Sequence, residues 1–333
     1  MHEDSRGNEC SWSIAALAFM LFPVEAASSV SKPIVVVGSI NLDLVAVTTK
    51  IPAVGETVLG TDFQTHPGGK GANQAVAAAR LGYPVQMIGR LGDDAFGAQL
   101  RANLERAGVG TERIATSEGS SGVALIEVSS KGENSIVVVP GANARLTPQD
   151  LAANLRLIRQ AGVVLVQLEI PLETVEQLAE ICAREKVPLI LDPAPANDLP
   201  RNVLERTTWF TPNESEAAFY AGDESDDSKK VAEALFDKGC SGVLLKMGSR
   251  GVYLAHERGE SEAVPAFSVT AVDSTGAGDA FNGAFAVGLM QGKSPRDSAQ
   301  FAAAVAAISV TREGAQPSMP TMAEVEAFLK DHS

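Results

Sequence analysis

Ile34-Val35-Val36-Val37-Gly38 is an unbroken apolar run stopped by a glycine. A strand with one wet face would alternate apolar and polar side chains. A continuous run fits a strand buried on both faces, as in a parallel sheet covered by helices on either side. Similar runs recur at 85–88, 163–168 (VVLVQL), 188–191 (PLIL), 209–211 and 242–246 (GVLLK). Between them the pattern predicts helices over 71–81, 95–107, 148–160, 172–185, 214–221, 229–238, 279–290, 295–311 and 322–331. Strand and helix alternating in this way predict a doubly wound α/β fold, with a mostly parallel sheet and helices on both faces. Two segments break the alternation. Residues 44–49 and 57–63 read as strands joined by turn residues, and 122–128 with 135–139 reads as a hairpin. Together they predict a small separate β-sheet, a lid built from about 44–64 and 119–140.

The 333 residues carry 27 Lys and Arg against 41 Asp and Glu, a formal net charge of −14. So acidic a chain repels phosphate backbones and anionic lipid heads, so neither nucleic acid nor a membrane is an expected partner. The three cysteines, Cys10, Cys182 and Cys240, form no CxxC pair, and the four histidines are widely scattered. Neither a disulfide framework nor a structural zinc site is expected, and a reducing cytoplasm is the simplest location. Residues 12–24 (WSIAALAFMLFPV) form an apolar run of about signal-peptide length, but the flank before it carries Glu3, Asp4 and Glu9 against Arg6. A signal segment should begin basic, and the run is too short to span a bilayer. Residues 1–31 are therefore expected to be an extension, disordered or not native, ahead of a fold covering 32–333. A targeting segment is the alternative.

Chemistry concentrates in 272–283, VDSTGAGDAFNG, which follows a β-prone stretch at 267–272 and opens an apolar helix. Gly276, Ala277 and Gly278 let backbone N–H groups face outward at a helix N-terminus, which adds about half a positive charge. Together they form a cradle for a phosphoryl group. Asp279, in the first turn, is expected to stay ionised and to accept the proton of a hydroxyl attacking the terminal phosphate. An Asp-capped helix start is the plain alternative. The dinucleotide pattern GxGxxG fails because Phe281 stands at its third glycine, and the P-loop pattern fails because Gly71 replaces Ser/Thr and Gln64 replaces the first Gly.

These residues resemble the C-terminal signature of the PfkB-type carbohydrate kinases, and 68–79 (GGKGANQAVAAA) resembles the N-terminal one. The stretches 38–43 (GSINLD), 211–216 (TPNESE), 248–251 (GSRG) and 311–318 (TREGAQPS) are similar to the ribose-phosphorylating branch of that family. The resemblance runs from about residue 34 to residue 329, with several motifs in the family's order. It implies ATP-dependent phosphorylation of D-ribose at the 5-hydroxyl, with ATP, Mg²⁺ and K⁺ as cofactors and a homodimer paired through the lid.

The resemblance also assigns residues. Asn41, Asp43, Gly68, Gly69, Lys70, Asn73 and Glu169 would contact the sugar, with Asp279 as base. Asn41, Asp43 and Glu169 follow predicted strands, where ligands bind in open α/β sheets. The plain alternatives are a local turn for Asn41 and Asp43, a surface position for Glu169 and a helix N-cap for the glycine stretch at 68–71. Asn213, Lys246, Gly248, Ser249, Gly251 and Gly278 would contact ATP, with the Lys246 side chain left without a role. Glu216 would arrange Mg²⁺ through water, since Mg²⁺ dehydrates reluctantly, or else be a capping residue. Asp273, Thr275, Ser309, Arg312, Gly314 and Ser318 match a K⁺ site, several of whose ligands would be backbone carbonyls. A kinase of the same fold for deoxyribose, fructose or a nucleoside is the near alternative. A sugar-sensing protein on a decayed kinase scaffold is the distant one, against which the intact Asp279 and its glycine loop argue.

Overall fold

The computed structural model describes residues 31–222, 225–256 and 261–332. The expectation for residues 1–31 therefore lies, apart from Ser31, outside the described residues. The chain opens with β1 (Ile34–Val37), β2 (Asn41–Thr48), β3 (Gly60–Gly68), α1 (Lys70–Arg80), β4 (Val85–Gly92), α2 (Ala95–Arg106) and β5 (Val109–Ser117). It continues with β6 (Gly122–Ser129), β7 (Asn134–Val139), α3 (Pro148–Ala153), α4 (Leu155–Gln160), β8 (Val163–Val166), α5 (Leu172–Glu185), β9 (Leu189–Leu191) and α6 (Arg201–Glu205). It ends with β10 (Trp209–Phe210), α7 (Glu214–Ala221), α8 (Ser228–Asp237), β11 (Gly242–Lys246), β12 (Val252–His256), β13 (Glu262–Val264), α9 (Ala277–Met290), α10 (Pro295–Ser309) and α11 (Met322–Asp331).

Nine strands form one sheet in the order β13-β12-β11-β10-β9-β8-β1-β4-β5, all running in one direction except β12, which is antiparallel to both of its neighbours. The double covering shows in β1 itself. Ile34 and Val36 pack into a core built with α1, α9 and α10, while Val35 and Val37 pack into a second core with α5 and α8. With both faces of the strand dry, an all-apolar run is what the position requires. From β1 the chain winds out through β4 and β5, then returns to β8 and winds the other way. The switch point therefore lies between β1 and β8, the place where open α/β sheets bind ligands beyond the strand ends.

The second sheet has the order β3-β2-β6-β7, with β2 and β6 parallel and both outer pairs antiparallel. It is the expected lid, longer at its base than predicted: Asn41 and Asp43 lie on β2 and not at the tip of β1.

Other differences have local causes. The stretch 267–272 forms no strand. Beyond β13 it leaves the sheet edge, and Val272 and Asp273 donate their N–H groups to the Val310 carbonyl at the end of α10 instead. The helix expected over 148–160 breaks at Asn154, whose side-chain amide donates to the Asp150 carbonyl at 2.8 Å and competes with the helical ladder. β5 went unread because Val109–Ser117 has no apolar run: it is an edge strand whose Glu112 and Arg113 face solvent. The helix expected over 229–238 begins one residue earlier, at Ser228, with Asp227 as its cap.

Candidate active site

Asp279 stands in the first turn of α9 and is only 5% exposed. Gly276 precedes it with φ 74°, the left-handed conformation that glycine adopts without strain, and so sets the turn at which α9 begins, with Ala277 N–H donating to the Ser274 carbonyl at 3.2 Å. The Asp279 carboxylate accepts from Asn73 Nδ2 at 2.9 Å and from Gln74 Nε2 at 3.1 Å, both on α1. Helices α9 and α1 can approach this closely because Gly283 has no side chain: a β-carbon there would lie 2.7 Å from Ala77 Cβ. The sequence predicted an ionised carboxylate. The structure buries it instead. Burial pushes its pKa up, Asp192 adds to that, and Lys70 with the Asn73 and Gln74 amides works in the opposite direction. A buried carboxylate with a raised pKa is a stronger proton acceptor than an exposed one.

The residues expected to meet the sugar gather beside it. Asn41 opens β2, is buried, and accepts from Asn143 Nδ2 at 2.7 Å. Asp43 lies two residues on, its pKa raised to about 7 by burial first and then by the Glu169 and Asp279 carboxylates. Gly68 ends β3 opposite Asn41, and Gly69 caps α1. Lys70 begins α1 and donates its backbone N–H to Glu169 Oε2 at 3.1 Å. Burial pulls the Lys70 pKa down, but Asp279, Asp192, Glu169 and Glu216 together outweigh it and push it above its ordinary value. Glu169, just past β8 at the switch point, also accepts from Ser39 Oγ, just past β1. Asn73 spends its donor on Asp279, and its Oδ1 accepts from Gln316 Nε2 at 3.1 Å. The result is a cluster of acceptors, Asn41, Asp43, Glu169 and Asp279, with one lysine among them. Such a cluster suits a small polyol.

On the other side of α9 lies a cavity of about 480 Å³, lined by Lys246, Gly248, Ser249, Gly251, Ala277, Gly278, Phe281 and apolar residues of 266–271 and α10. It is a largely apolar slot that runs into the α9 amide cradle, a shape and chemistry that suit a purine base with its phosphates. Asn213 and Glu216 form a capping box on α7. Asn213 Oδ1 accepts from Glu216 N, and Glu216 Oε2 accepts from Asn213 N, each at 2.8 Å. The capping reading of this pair is therefore realised. Burial and Asp192 raise the Glu216 pKa against the pull of Lys246. Among the described residues no three His, Cys, Asp or Glu gather to hold a metal. Glu216, the carboxylate there that neither Lys246 nor the α1 amides engage by hydrogen bond, fits a Mg²⁺ carried mainly by phosphate and water.

Asp273 organises the loop ahead of the cradle. Its Oδ1 accepts from Thr275 N and Oγ1, and its Oδ2 from Gly314 N at 2.8 Å. Burial opposes its charge, but these donors hold its pKa low. Asp273, Thr275 and Gly314 are thus brought together. The Ser309 and Ser318 hydroxyls instead donate to the Ala306 and Ala315 carbonyls, and the Arg312 guanidinium pairs with Glu324.

Three buried residues escaped the sequence reading. Asp192 follows β9 and accepts from Gln74 Nε2 and from Lys246 Nζ, each at 2.9 Å. Gln74 links Asp192 to Asp279, and Gln167, just past β8, donates to Gln74 Oε1 at 2.6 Å. Asp192 and Gln167 both lie at carboxyl ends of parallel strands, a signal that the strand pattern alone would have supplied.

Comparison with known proteins points the same way. The profile of the pfkB family of carbohydrate kinases matches residues 31–322. The ribokinase of Bacillus subtilis is 44% identical over 303 residues, 89% of this chain and 99% of that protein. The deoxyribokinase of Salmonella typhi is 38% identical, again over 89% of this chain and 98% of its own length. Among solved structures, the ribokinase of Arabidopsis thaliana complexed with ribose and ATP superposes with a TM-score of 0.86 at 36% identity, over 90% of this chain and 99% of that one.

Proposed function

This chain belongs to the pfkB family of carbohydrate kinases, and on that premise we propose that it transfers the terminal phosphoryl group of ATP to the 5-hydroxyl of D-ribose, giving D-ribose 5-phosphate and ADP. The observation that carries the reading is the position of Asp279: a buried carboxylate beside Asp43 and Asn73, one residue after Gly278, which lines the apolar slot. The sugar lies against Asn41, Asp43, Glu169 and Lys70. Asp279 takes the proton of the 5-hydroxyl as that oxygen closes on the terminal phosphorus, and the bond to the bridging oxygen of ADP breaks. The N–H groups of Gly276, Gly278 and Asp279 meet the equatorial oxygens as charge spreads over them. Mg²⁺ would neutralise phosphate charge, with Glu216 as an outer carboxylate reached through water. K⁺ would sit in the loop that Asp273 holds to Gly314 and stiffen the cradle.

The lid supports two further parts of the reading. Closing over the pocket, it would exclude water and limit wasteful ATP hydrolysis. Its edge strand β7 exposes Ile136, Val137, Val138 and Val139, and Leu125 and Phe63 are also exposed on this sheet. An apolar edge of this kind is covered in a homodimer paired lid to lid. None of the described helices is long and apolar enough to cross a membrane, and dependence on ATP accords with a cytoplasmic setting.

A coupled ADP-release assay on ribose, 2-deoxyribose, fructose and nucleosides, with and without K⁺, tests the reading. Ribose should give the highest kcat/KM, and K⁺ should raise it. Preference for deoxyribose would move the substrate within the same chemistry. ADP release indifferent to any sugar would defeat the kinase reading.

A further inference from the structure

We propose that the Lys246 ammonium binds the terminal phosphates of the nucleotide, with Asp192 holding it in place while the cavity is empty. Lys246 is the last residue of β11, and its backbone is pinned to the loop before α7 by a hydrogen bond to the Pro212 carbonyl at 2.9 Å. Its side chain is 14% exposed and pairs at 2.9 Å with an Asp192 side chain that is 3% exposed. From there the ammonium overhangs the first turn of α9: a β-carbon built on Gly278 would lie 3.4 Å from Lys246 Nζ. Among the described residues, every other side chain lining the 480 Å³ cavity is uncharged. A polyanion entering that slot therefore meets one cation, at the end where the amide cradle stands. Asp192 takes one of the three ammonium donors and leaves others for phosphate oxygens.

The pair also has a geometric consequence. Asp192 Oδ2 accepts from Gln74 Nε2, and that same nitrogen donates to Asp279 Oδ1. The phosphate-binding cation and the carboxylate base are thus fastened to one buried amide, so the spacing of donor and acceptor is held by side chains and not only by helix packing.

The inference rests on ATP as the phosphoryl donor. A simpler role is also open to Lys246: neutralising a buried Asp192. Binding of ATP, ADP, AMP and adenosine by calorimetry to the full chain separates the two. Lys246→Met should weaken ATP and ADP by about tenfold or more, the worth of a charge-assisted hydrogen bond, and leave adenosine unchanged. The double variant Asp192→Asn/Lys246→Met removes both charges. It should stay weak for ADP if the lysine grips phosphate, and recover wild-type affinity if the lysine only serves Asp192. Should Lys246→Met fail to fold, the double variant, which leaves no unpaired buried charge, makes the same comparison. Unchanged ADP affinity in either variant overturns the proposal. A wild-type chain that binds no ATP would instead sink the donor assignment on which it rests.

Discussion

At single residues, two carboxylates carry the sharpest expectations. Asp279→Asn keeps the hydrogen-bonding shape but removes the proton acceptor. It should lower kcat by at least about 10²-fold, the low end for a positioned general base, while ribose binding by calorimetry persists in weakened form. Near-normal kcat would remove Asp279 from the mechanism. Asp43 should impose a pH dependence. Its carboxyl titrates at about 7 in the folded chain against an ordinary value near 3.8. Between those values the folded chain keeps a proton that the unfolded chain has lost, so Asp43 lowers stability progressively as pH rises through that window. The gain in Tm of Asp43→Asn over wild type should be near zero at pH 4, grow toward neutrality and level off above about pH 7. Ribose affinity should move oppositely in the wild type, weakening below about pH 7 as the acceptor becomes protonated, and Asp43→Asn should flatten that profile. Asp279 and Asp43 were both legible in the chain as polar residues in glycine-rich or strand-end contexts. Their raised pKa values were not, because desolvation depends on neighbours hundreds of positions away in sequence.

At the level of elements, the site is a product of close helix packing. α9 meets α1 through Gly283, and the contact places Asp279 on Asn73 and Gln74. Gly283→Ala adds one methyl where no room exists. It should cost about 1–3 kcal/mol in denaturant unfolding, as over-packing does, and should lower kcat more than it raises KM for ribose, because the base is displaced. The turn over 316–319 is held to α1 in the same manner. Arg80 Nη1 donates to the carbonyls of Gln316, Pro317 and Met319, and Gln316 reaches Asn73. Arg80→Ala should loosen this turn, cost about 1–3 kcal/mol for the unpaired carbonyls, and lower kcat through Asn73. Strands buried on both faces and strongly periodic helices could be read from composition. Edge strands β5 and β13, and β12 beside β13, could not, because their side chains report a mixed environment and their partners are chosen by the sheet.

For the whole molecule, the decisive feature is the pairing of a nine-stranded sheet with a four-stranded lid. If the lid edge is a dimer surface, Val137→Lys on β7 should shift the chain from dimer to monomer in light scattering, with little effect on Tm because the position is exposed. An unchanged dimer would place the interface elsewhere. Taken alone, the chain of residues was enough to establish the layered α/β architecture, the existence of the small sheet and the helix start after Gly276, because hydrophobic period, glycine placement and helix-start chemistry are local properties. The fold alone settled which polar groups share a buried volume. Asp192, Gln74, Gln167, Lys246 and Asp279 come from five separate segments, and their hydrogen bonds, charges and desolvation exist only once parallel strands bring those segments to one edge of the sheet.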